Sequence, residues 1–315
     1  MSPAELVYTV SMILLTGALL LFAKAIYVML SRFDVNHELT EADNPAIGTA
    51  MFGYLLGLVF VLAGLLSTEL PRRVTRQSLA WDLAETAIFG VVAVFLLRLS
   101  GWINDRFILH RFENKKELVE DRNVGAGAVL CGTYIASGLV LAGALHGRLA
   151  AKMAATMGHW ELILRELGTA VVFFLLGQVV LIVYGQIYQR LSKINPMDSI
   201  PQDYEVDGQK HGGNAAAGIA MGGNMVAIGI VLWGAARGDF ISWKSNLTAF
   251  GVVVGVGLVT LPLWRLFVDH VILGKVSLSA EIHEDRNPNA ALLEAVSCIA
   301  LAVVIAFMAR PDFPA

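Results

Sequence analysis

The chain has 315 residues, of which 56% are hydrophobic and only 16% are charged, and its mean hydropathy is +0.65. A soluble domain has an apolar share of roughly 45–50%, so a water-soluble fold could not bury this much apolar surface. The net charge of −3 provides no basic surface, and we expect no nucleic-acid partner. Cys131 and Cys298 lie inside apolar runs and predict neither a disulfide framework nor a zinc site.

In chain order, eight apolar segments are long enough to cross about 30 Å of hydrocarbon as helices. The odd-numbered ones are less purely apolar, since they contain residues such as Lys24, Glu85 and Arg265. The strands of a membrane barrel would instead alternate apolar and polar residues in short runs. The sequence therefore predicts an all-α, polytopic membrane protein with eight transmembrane helices, arranged as four helical hairpins, at residues 6–30, 45–66, 79–97, 124–145, 167–187, 215–236, 247–267 and 288–308.

Lysine and arginine are unevenly divided between the two sides of the membrane. The loops after spans 1, 3, 5 and 7, together with Arg265 at the end of span 7, hold 13 of them, against 9 on the opposite side. The positive-inside tendency puts the first side in the cytoplasm. With an even number of spans, both termini are then expected to face the periplasm.

Similarity between different parts of the chain is its strongest sequence signal. Residues 105–123 align without a gap on residues 269–287, with eight identities that end in Asp-Arg-Asn. A second match places Ile26-Tyr27 on Ile187-Tyr188. The chain is therefore predicted to consist of two four-span units, residues 1–155 and 156–315.

A shorter period lies inside each half, because residues 38–44 resemble residues 117–123. The third of the four repeats is degenerate, since residues 208–214 replace the acidic motif with Gly-Gln-Lys-His-Gly-Gly-Asn. Each repeat contains two spans, so all four have the same orientation and are expected to be related by rotation about the membrane normal.

These features resemble the DUF350 family, whose members are also called YjfL-like or UPF0719 inner-membrane proteins of bacteria. The resemblance rests on an acidic Glu-hydrophobic-x-Glu stretch followed by Asn and an Ala/Gly-rich span, and two copies cover nearly the whole chain. It implies a bacterial inner-membrane location and a four-span unit. It implies no activity and no functional residues, and the third repeat departs from the acidic pattern.

An asparagine stands directly before each of the four most apolar spans. Asn with Pro at the next position is a helix-start signature, so we predict that these side chains cap their helices, although they could instead form a ring of amides around a mouth. A small residue stands four positions after each asparagine, and another stands nine positions after it, except in the fourth repeat, which has Val296 there. These small residues predict close contacts between helices. The predicted caps are Asn44, Asn123, Asn214 and Asn287.

Ten positions beyond each asparagine, all four repeats have a side chain that can form hydrogen bonds. If the repeats are pseudo-symmetric, these side chains form a polar ring at one depth, where they either bond between helices or line a polar path. The four residues are Tyr54, Thr133, Asn224 and Ser297.

The acidic motif pairs two glutamates three residues apart, which places both on one face of a helix. Carboxylates close to histidines could bind a divalent metal, but the spacing matches no compact ligand motif, and a solvated stretch before each span is the plainer interpretation. No cofactor is expected. The paired residues are Glu38 and Glu41, Glu117 and Glu120, and Glu281 and Glu284.

Charges inside a bilayer are costly and often functional. Lys24 and Glu294 lie at matching depth in the first and last spans. If the four hairpins close around a common axis, these spans become neighbours, and an ion pair between the two residues would seal the ring. Alternatively, Lys24 extends alone to the membrane interface.

Two kinds of function remain open at this point. One is a non-catalytic membrane subunit or scaffold that binds a protein partner, or a second copy of the chain, through its charged loops. The other is a channel or transporter for a cation or small polar solute. An enzyme is the least favoured class, because the sequence contains no P-loop and no nucleophile elbow.

Overall fold

The computed structural model describes residues 2–67, 75–113, 115–146, 157–206, 208–271 and 276–309. The expected division between the two units, near residue 155, lies outside these ranges. The helices in chain order are α1 (Pro3–Leu30), α2 (Val35–Thr40), α3 (Pro45–Leu66), α4 (Arg76–Ile103), α5 (Val124–His146), α6 (His159–Leu191), α7 (Pro196–Ser199), α8 (Ala215–Ala236), α9 (Trp243–Val271), α10 (Leu278–His283) and α11 (Pro288–Met308). Two π-helical turns, Asn104–Ile108 and Lys116–Glu120, lie between α4 and α5.

Eight of these helices, α1, α3, α4, α5, α6, α8, α9 and α11, are long and apolar enough to cross a membrane. This confirms the predicted eight spans and the predominantly helical, multi-pass fold. The odd-numbered spans extend beyond the apolar runs, because their polar ends continue the helix. The helix α4 begins at Arg76, where Thr75 and Ser78 form a capping box, and α6 begins at His159.

The eight long helices lie in two rows. The second helices of the four hairpins form an inner row in which α3 packs on α5, α5 on α8 and α8 on α11. The first helices, α1, α4, α6 and α9, pack against this row from one side, and α4, α6 and α9 each contact two of its members. The centre of the inner row is the most buried part, and most residues of α5 and α8 are inaccessible.

Small residues explain the tight contacts of the inner row. In the first three repeats, the glycine nine positions after the capping asparagine meets the next helix, so that Gly53 touches Cys131, Gly132 touches Gly222, and Gly223 touches Ala295. Side chains larger than hydrogen would meet the neighbouring helix there, so these positions set how closely the helices approach.

The row is open at both ends. The fourth repeat has Val296 where the others have glycine, and this side chain is 56% exposed, because no described helix packs on this face of α11. The four repeats are therefore arranged as a row and not around a common axis. The ring closure on which a pair between Lys24 and Glu294 would depend is therefore absent among the described helices.

The third repeat contains a small departure from an all-α fold. Tyr204–Val206 and Gln209–His211 pair as an antiparallel hairpin. This hairpin occupies the degenerate motif, where glycine replaces acidic residues. Gly208, at φ 76°, provides the left-handed backbone of its turn.

Candidate functional site

A buried ion pair lies within the last two spans. Arg265 of α9 donates from Nε to Oε1 of Glu294 in α11 over 2.8 Å, and the two side chains are only 7% and 2% exposed. Isolated charges at this depth are costly, and pairing removes most of that cost. The pair joins the outer row to the end of the inner row.

Three further polar side chains complete this cluster. The Tyr188 hydroxyl donates to the same Glu294 oxygen over 2.9 Å, and Asn224 Nδ2 donates to it over 3.0 Å. The Tyr184 hydroxyl donates to Asn224 Oδ1 over 3.0 Å, and the Arg265 guanidinium lies 4.2 Å from the centre of the Tyr188 ring. One carboxylate oxygen thus receives donors from α6, α8 and α9.

The expected ion pair between Lys24 and Glu294 is wrong. Glu294 Oε1 pairs with Arg265, whereas Lys24 is exposed on α1 and forms no ion pair with any described residue. The physical reason is the open row, which puts α1 and α11 at opposite ends of the molecule. From the sequence, Arg265 was identified only as a charged residue in span 7, although it lies in the same hairpin as Glu294.

The first half has a related cluster that sequence analysis missed. The Arg98 guanidinium of α4 lies 4.4 Å from the centre of the Tyr27 ring, and its Nη1 donates to the Tyr134 hydroxyl over 3.2 Å. The Tyr54 ring packs against the rings of both tyrosines. The match of Tyr27 with Tyr188 was the available signal, because each ring lies under an arginine from the next hairpin.

The four polar positions expected to form a ring are instead spread along the inner row. Tyr54 donates to the Val94 carbonyl over 3.3 Å, and Thr133 donates to Asn104 Oδ1 over 2.9 Å. Asn224 belongs to the Glu294 cluster, and Ser297 donates to the Glu294 carbonyl over 2.8 Å. These side chains bond within and between helices, which favours the first of their two interpretations.

The asparagines occupy the N-cap positions as predicted. Asn123 Oδ1 accepts from the backbone N–H groups of Gly125 and Ala126 over 2.9 and 3.2 Å. The residue before each asparagine has a left-handed backbone in all four repeats, with φ of 48°, 49°, 69° and 55°. The other caps are Asn44, Asn214 and Asn287, whose side chains accept in the same way.

The amide groups of these asparagines also link each repeat to the next. Asn44 Nδ2 donates to the Leu118 carbonyl, Asn123 Nδ2 to the Ile200 carbonyl, and Asn214 Nδ2 to the Ile282 carbonyl, over 2.8, 2.8 and 3.1 Å. The amides are therefore used between repeats and do not line a mouth. These links between repeats were not predicted from the sequence.

The acidic motif divides into an inner and an outer glutamate. In the first, second and fourth repeats, the carboxylate of the inner glutamate accepts from Nδ2 of the capping asparagine of its own repeat, over 2.7, 2.7 and 2.9 Å. In the third repeat, the Ser199 hydroxyl oxygen accepts from the capping asparagine instead. The inner residues are Glu38, Glu117 and Glu281. The outer ones are exposed, and they are Glu41, Glu120 and Glu284.

Two ionisable groups of these segments have shifted pKa values. Burial raises the pKa of Glu117, although Asn123 donates to its carboxylate. Burial, with a contribution from Arg265, lowers the pKa of His283 to about 4, so this ring is neutral at pH 7. Neither ring nitrogen of His283 has a partner among the described residues.

No group of three or more His, Cys, Asp or Glu side chains that could hold a metal ion occurs in the described part of the chain. Glu41 pairs with His37 over 3.0 Å, but both are exposed, and no third ligand joins them. The acidic motif is thus used for hydrogen bonding at the helix starts.

Comparisons with known proteins agree with this architecture. The profile of the family described as "Domain of Unknown Function (DUF350)" matches residues 1–145 and 161–309. A "UPF0719 transmembrane protein" of Aquifex aeolicus (strain VF5) is 23% identical over 287 residues, which cover 90% of this chain and 94% of the relative. No solved structure matches the chain. The two matches to the profile cover nearly the whole sequence, and the chain therefore belongs to the DUF350 family, with two copies of its unit in tandem.

Proposed function

We propose that this protein is a non-catalytic membrane subunit, a rigid helical platform that binds a partner protein through its loop face. The loop face consists of the segments that join the two helices of each hairpin, at residues 31–44, 104–113, 115–123, 192–206, 208–214 and 276–287. We also propose that this face lies in the cytoplasm of a bacterium, because Lys and Arg are in excess on this side.

The observation that carries the proposal is the backbone contact along the inner row. A Cβ on Gly57 would lie 2.6 Å from the Tyr134 carbonyl oxygen, and one on Gly64 would lie 2.6 Å from that of Ala142. Helices this close leave no room for a solute between them. The depression beside the Arg265 cluster, between α6 and α9, is too small to hold a water molecule.

The exposed charges of the loop face suit a protein partner better than a solute. Arg111 and Asp198 pair across two segments of this face over 2.8 Å, and Lys116 lies 3.7 Å from Asp121. These charges are of both signs and are spread over the surface, a pattern typical of a polar rim that sets orientation and register of a partner. They do not converge on one opening.

Photo-crosslinking of the full-length protein in its native membrane tests this proposal. A photoreactive residue at Glu120, on the loop face, should give one discrete cross-linked band, and the same residue at Lys244, on the opposite side, should give none. Reversing two loop-face charges, with Arg106→Glu and Lys115→Glu, should abolish the band. Equal bands from both positions, or a band that survives the charge reversal, would contradict the proposal.

A transporter for a cation or small polar solute is the second candidate. The observation that favours it is the buried pair of Arg265 and Glu294, because ionisable groups inside a membrane often mark an ion pathway. Purified protein in liposomes, loaded with pH- and potassium-sensitive dyes, distinguishes the two. Flux above that of empty liposomes, lost in Glu294→Gln, would favour the transporter over the platform.

Extension of the row by a second copy of the chain is not favoured. A head-to-tail contact would place α11 of one copy against α3 of another, and it would need a small residue at position 296. Val296 occupies this position and is exposed. The valine therefore ends the row, and a homo-oligomer would have to use another surface.

A further inference from the structure

The positive charge of Arg98 has no carboxylate within ion-pair distance among the described residues. It forms no ion pair with any described residue, and its hydrogen bond is to the Tyr134 hydroxyl. Its Nε is buried and has no acceptor. The Tyr27 ring stabilises the cation from one side, but a ring does not neutralise it.

The second half of the chain shows what is missing. Arg265 also lies over a tyrosine ring, and its Nε is the atom that donates to Glu294. In the aligned repeats, the residue that corresponds to Glu294 is Leu130, which cannot accept. The first half therefore has no carboxylate at the position from which Glu294 accepts, and no described residue lies within ion-pair distance of Arg98.

The position of Arg98 is suited to an anion from the lipid. Tyr27, which it contacts, is three residues from the end of α1, or about 4–5 Å from that end at 1.5 Å per residue. The neighbouring side chains of α4 on the outer surface, Phe95, Leu99 and Trp102, are 46%, 38% and 60% exposed. Arg98 thus lies at the edge of this outer surface, where its side chain is half-buried against Tyr27 of α1 and Tyr134 of α5.

A second cation lies on the same flank. Lys24 is exposed one turn before Tyr27 on α1, and no described residue pairs with it. A lysine so placed extends its ammonium group along the helix toward the interface. The two unpaired charges, one on each helix, would together face the phosphate region of one leaflet.

We propose that Arg98 and Lys24 form a binding site for the phosphate of an anionic membrane lipid, between α1 and α4. Guanidinium groups bind phosphate through parallel hydrogen bonds, and basic pockets between transmembrane helices bind lipid headgroups. The Tyr27 and Tyr134 side chains orient the guanidinium. The bound phosphate supplies in the first half the negative charge that Glu294 supplies in the second.

Thermal unfolding of the full-length protein in neutral detergent, with added lipid, tests the site. Phosphatidylglycerol should raise the Tm by a few degrees more than phosphatidylcholine, since a ligand that binds only the folded state stabilises it. Arg98→Gln should abolish this difference, and Lys24→Gln should reduce it. Arg190→Gln, which removes an exposed charge from the last turn of α6, is the matched control and should leave the difference unchanged.

Several results would overturn the assignment. If Arg98→Gln retains the full difference, the arginine does not bind the lipid, and if Arg190→Gln loses as much, the effect is general charge attraction. Stabilisation by millimolar inorganic phosphate that depends on Arg98 and equals that of the lipid would assign the site to free phosphate instead. If Arg98→Gln does not fold, Lys24→Gln decides, and an unchanged lipid effect in that variant would refute the proposal.

Discussion

The pair of Arg265 and Glu294 provides the sharpest stability test. Glu294→Gln keeps an oxygen that can accept from Tyr188 and Asn224, but it leaves the guanidinium, which is 7% exposed, without a counter-charge. Removing one partner of a buried pair costs about 3–5 kcal/mol. We expect a loss in this range from Glu294→Gln, and a comparable loss from Arg265→Met, which leaves the carboxylate without its cation.

The double variant separates pairing from other effects. Arg265→Met with Glu294→Gln removes both charges while the two hydrogen bonds to position 294 remain possible, so it should be more stable than either single variant. Replacing a buried pair by uncharged groups is often close to neutral. Unfolding in mixed micelles with increasing denaturing detergent measures all three variants.

The control for this cycle uses Lys24. Because Lys24 and Glu294 lie at opposite ends of the molecule, Lys24→Met and Glu294→Gln should be additive within about 0.5 kcal/mol. Additivity of Arg265→Met and Glu294→Gln to the same degree would refute the reasoning. It would mean that the close contact of 2.8 Å contributes nothing specific to the fold.

Three further outcomes are expected. Asn123→Ala loses a cap and the hydrogen bonds that its amide donates to the Ile200 carbonyl and to the Glu117 carboxylate, so it should cost about 2–3 kcal/mol by the same unfolding assay. Asn287→Ala, whose amide bonds only Glu281 among the described residues, should cost about 1 kcal/mol. Gly132→Ala should cost about 1–3 kcal/mol, since its Cβ meets the Gly222 backbone, whereas Gly255→Ala, with open space around it, should be neutral or slightly stabilising. The pKa of His283 falls from 6.5 to about 4 on folding, so the unfolded chain takes up a proton at a higher pH than the folded protein does. The folded state is therefore destabilised as the pH falls from 6.5 towards 4. His283→Leu should remove this loss of stability, as measured by unfolding at several pH values between about 7 and 4.

Hydropathy and local motifs were sufficient to predict the spans and the helix starts. Each span had to be apolar over its whole length, and each asparagine had to stand at a helix start, because these requirements are local. The glycines nine positions after the asparagines also predicted contacts between helices, and Gly132 does lie against the backbone of Gly222 on the next helix. Such features can be read from a single sequence, since they do not depend on which helix lies beside which.

The arrangement of the repeats could not be read in the same way. Parallel repeats have the same sequence pattern whether they form a ring or a row, and the depth of Lys24 and Glu294 gave no information on their neighbours. Two signals were present nonetheless. Val296 broke the glycine pattern where the row ends, and Arg265 preceded Glu294 in the same hairpin, where consecutive elements usually pack together.

Thiol cross-linking in a cysteine-free background tests the open row most directly. Ser67→Cys with His146→Cys joins the ends of α3 and α5, where the native side chains are 2.6 Å apart, and Trp233→Cys with Phe307→Cys joins α8 to α11, where the rings are 5.9 Å apart. A short reagent that links two thiols should cross-link both pairs within one chain. Ser67→Cys with Phe307→Cys, on the two end helices, should not cross-link. Efficient cross-linking of this last pair within one chain would contradict the row and indicate a closed ring.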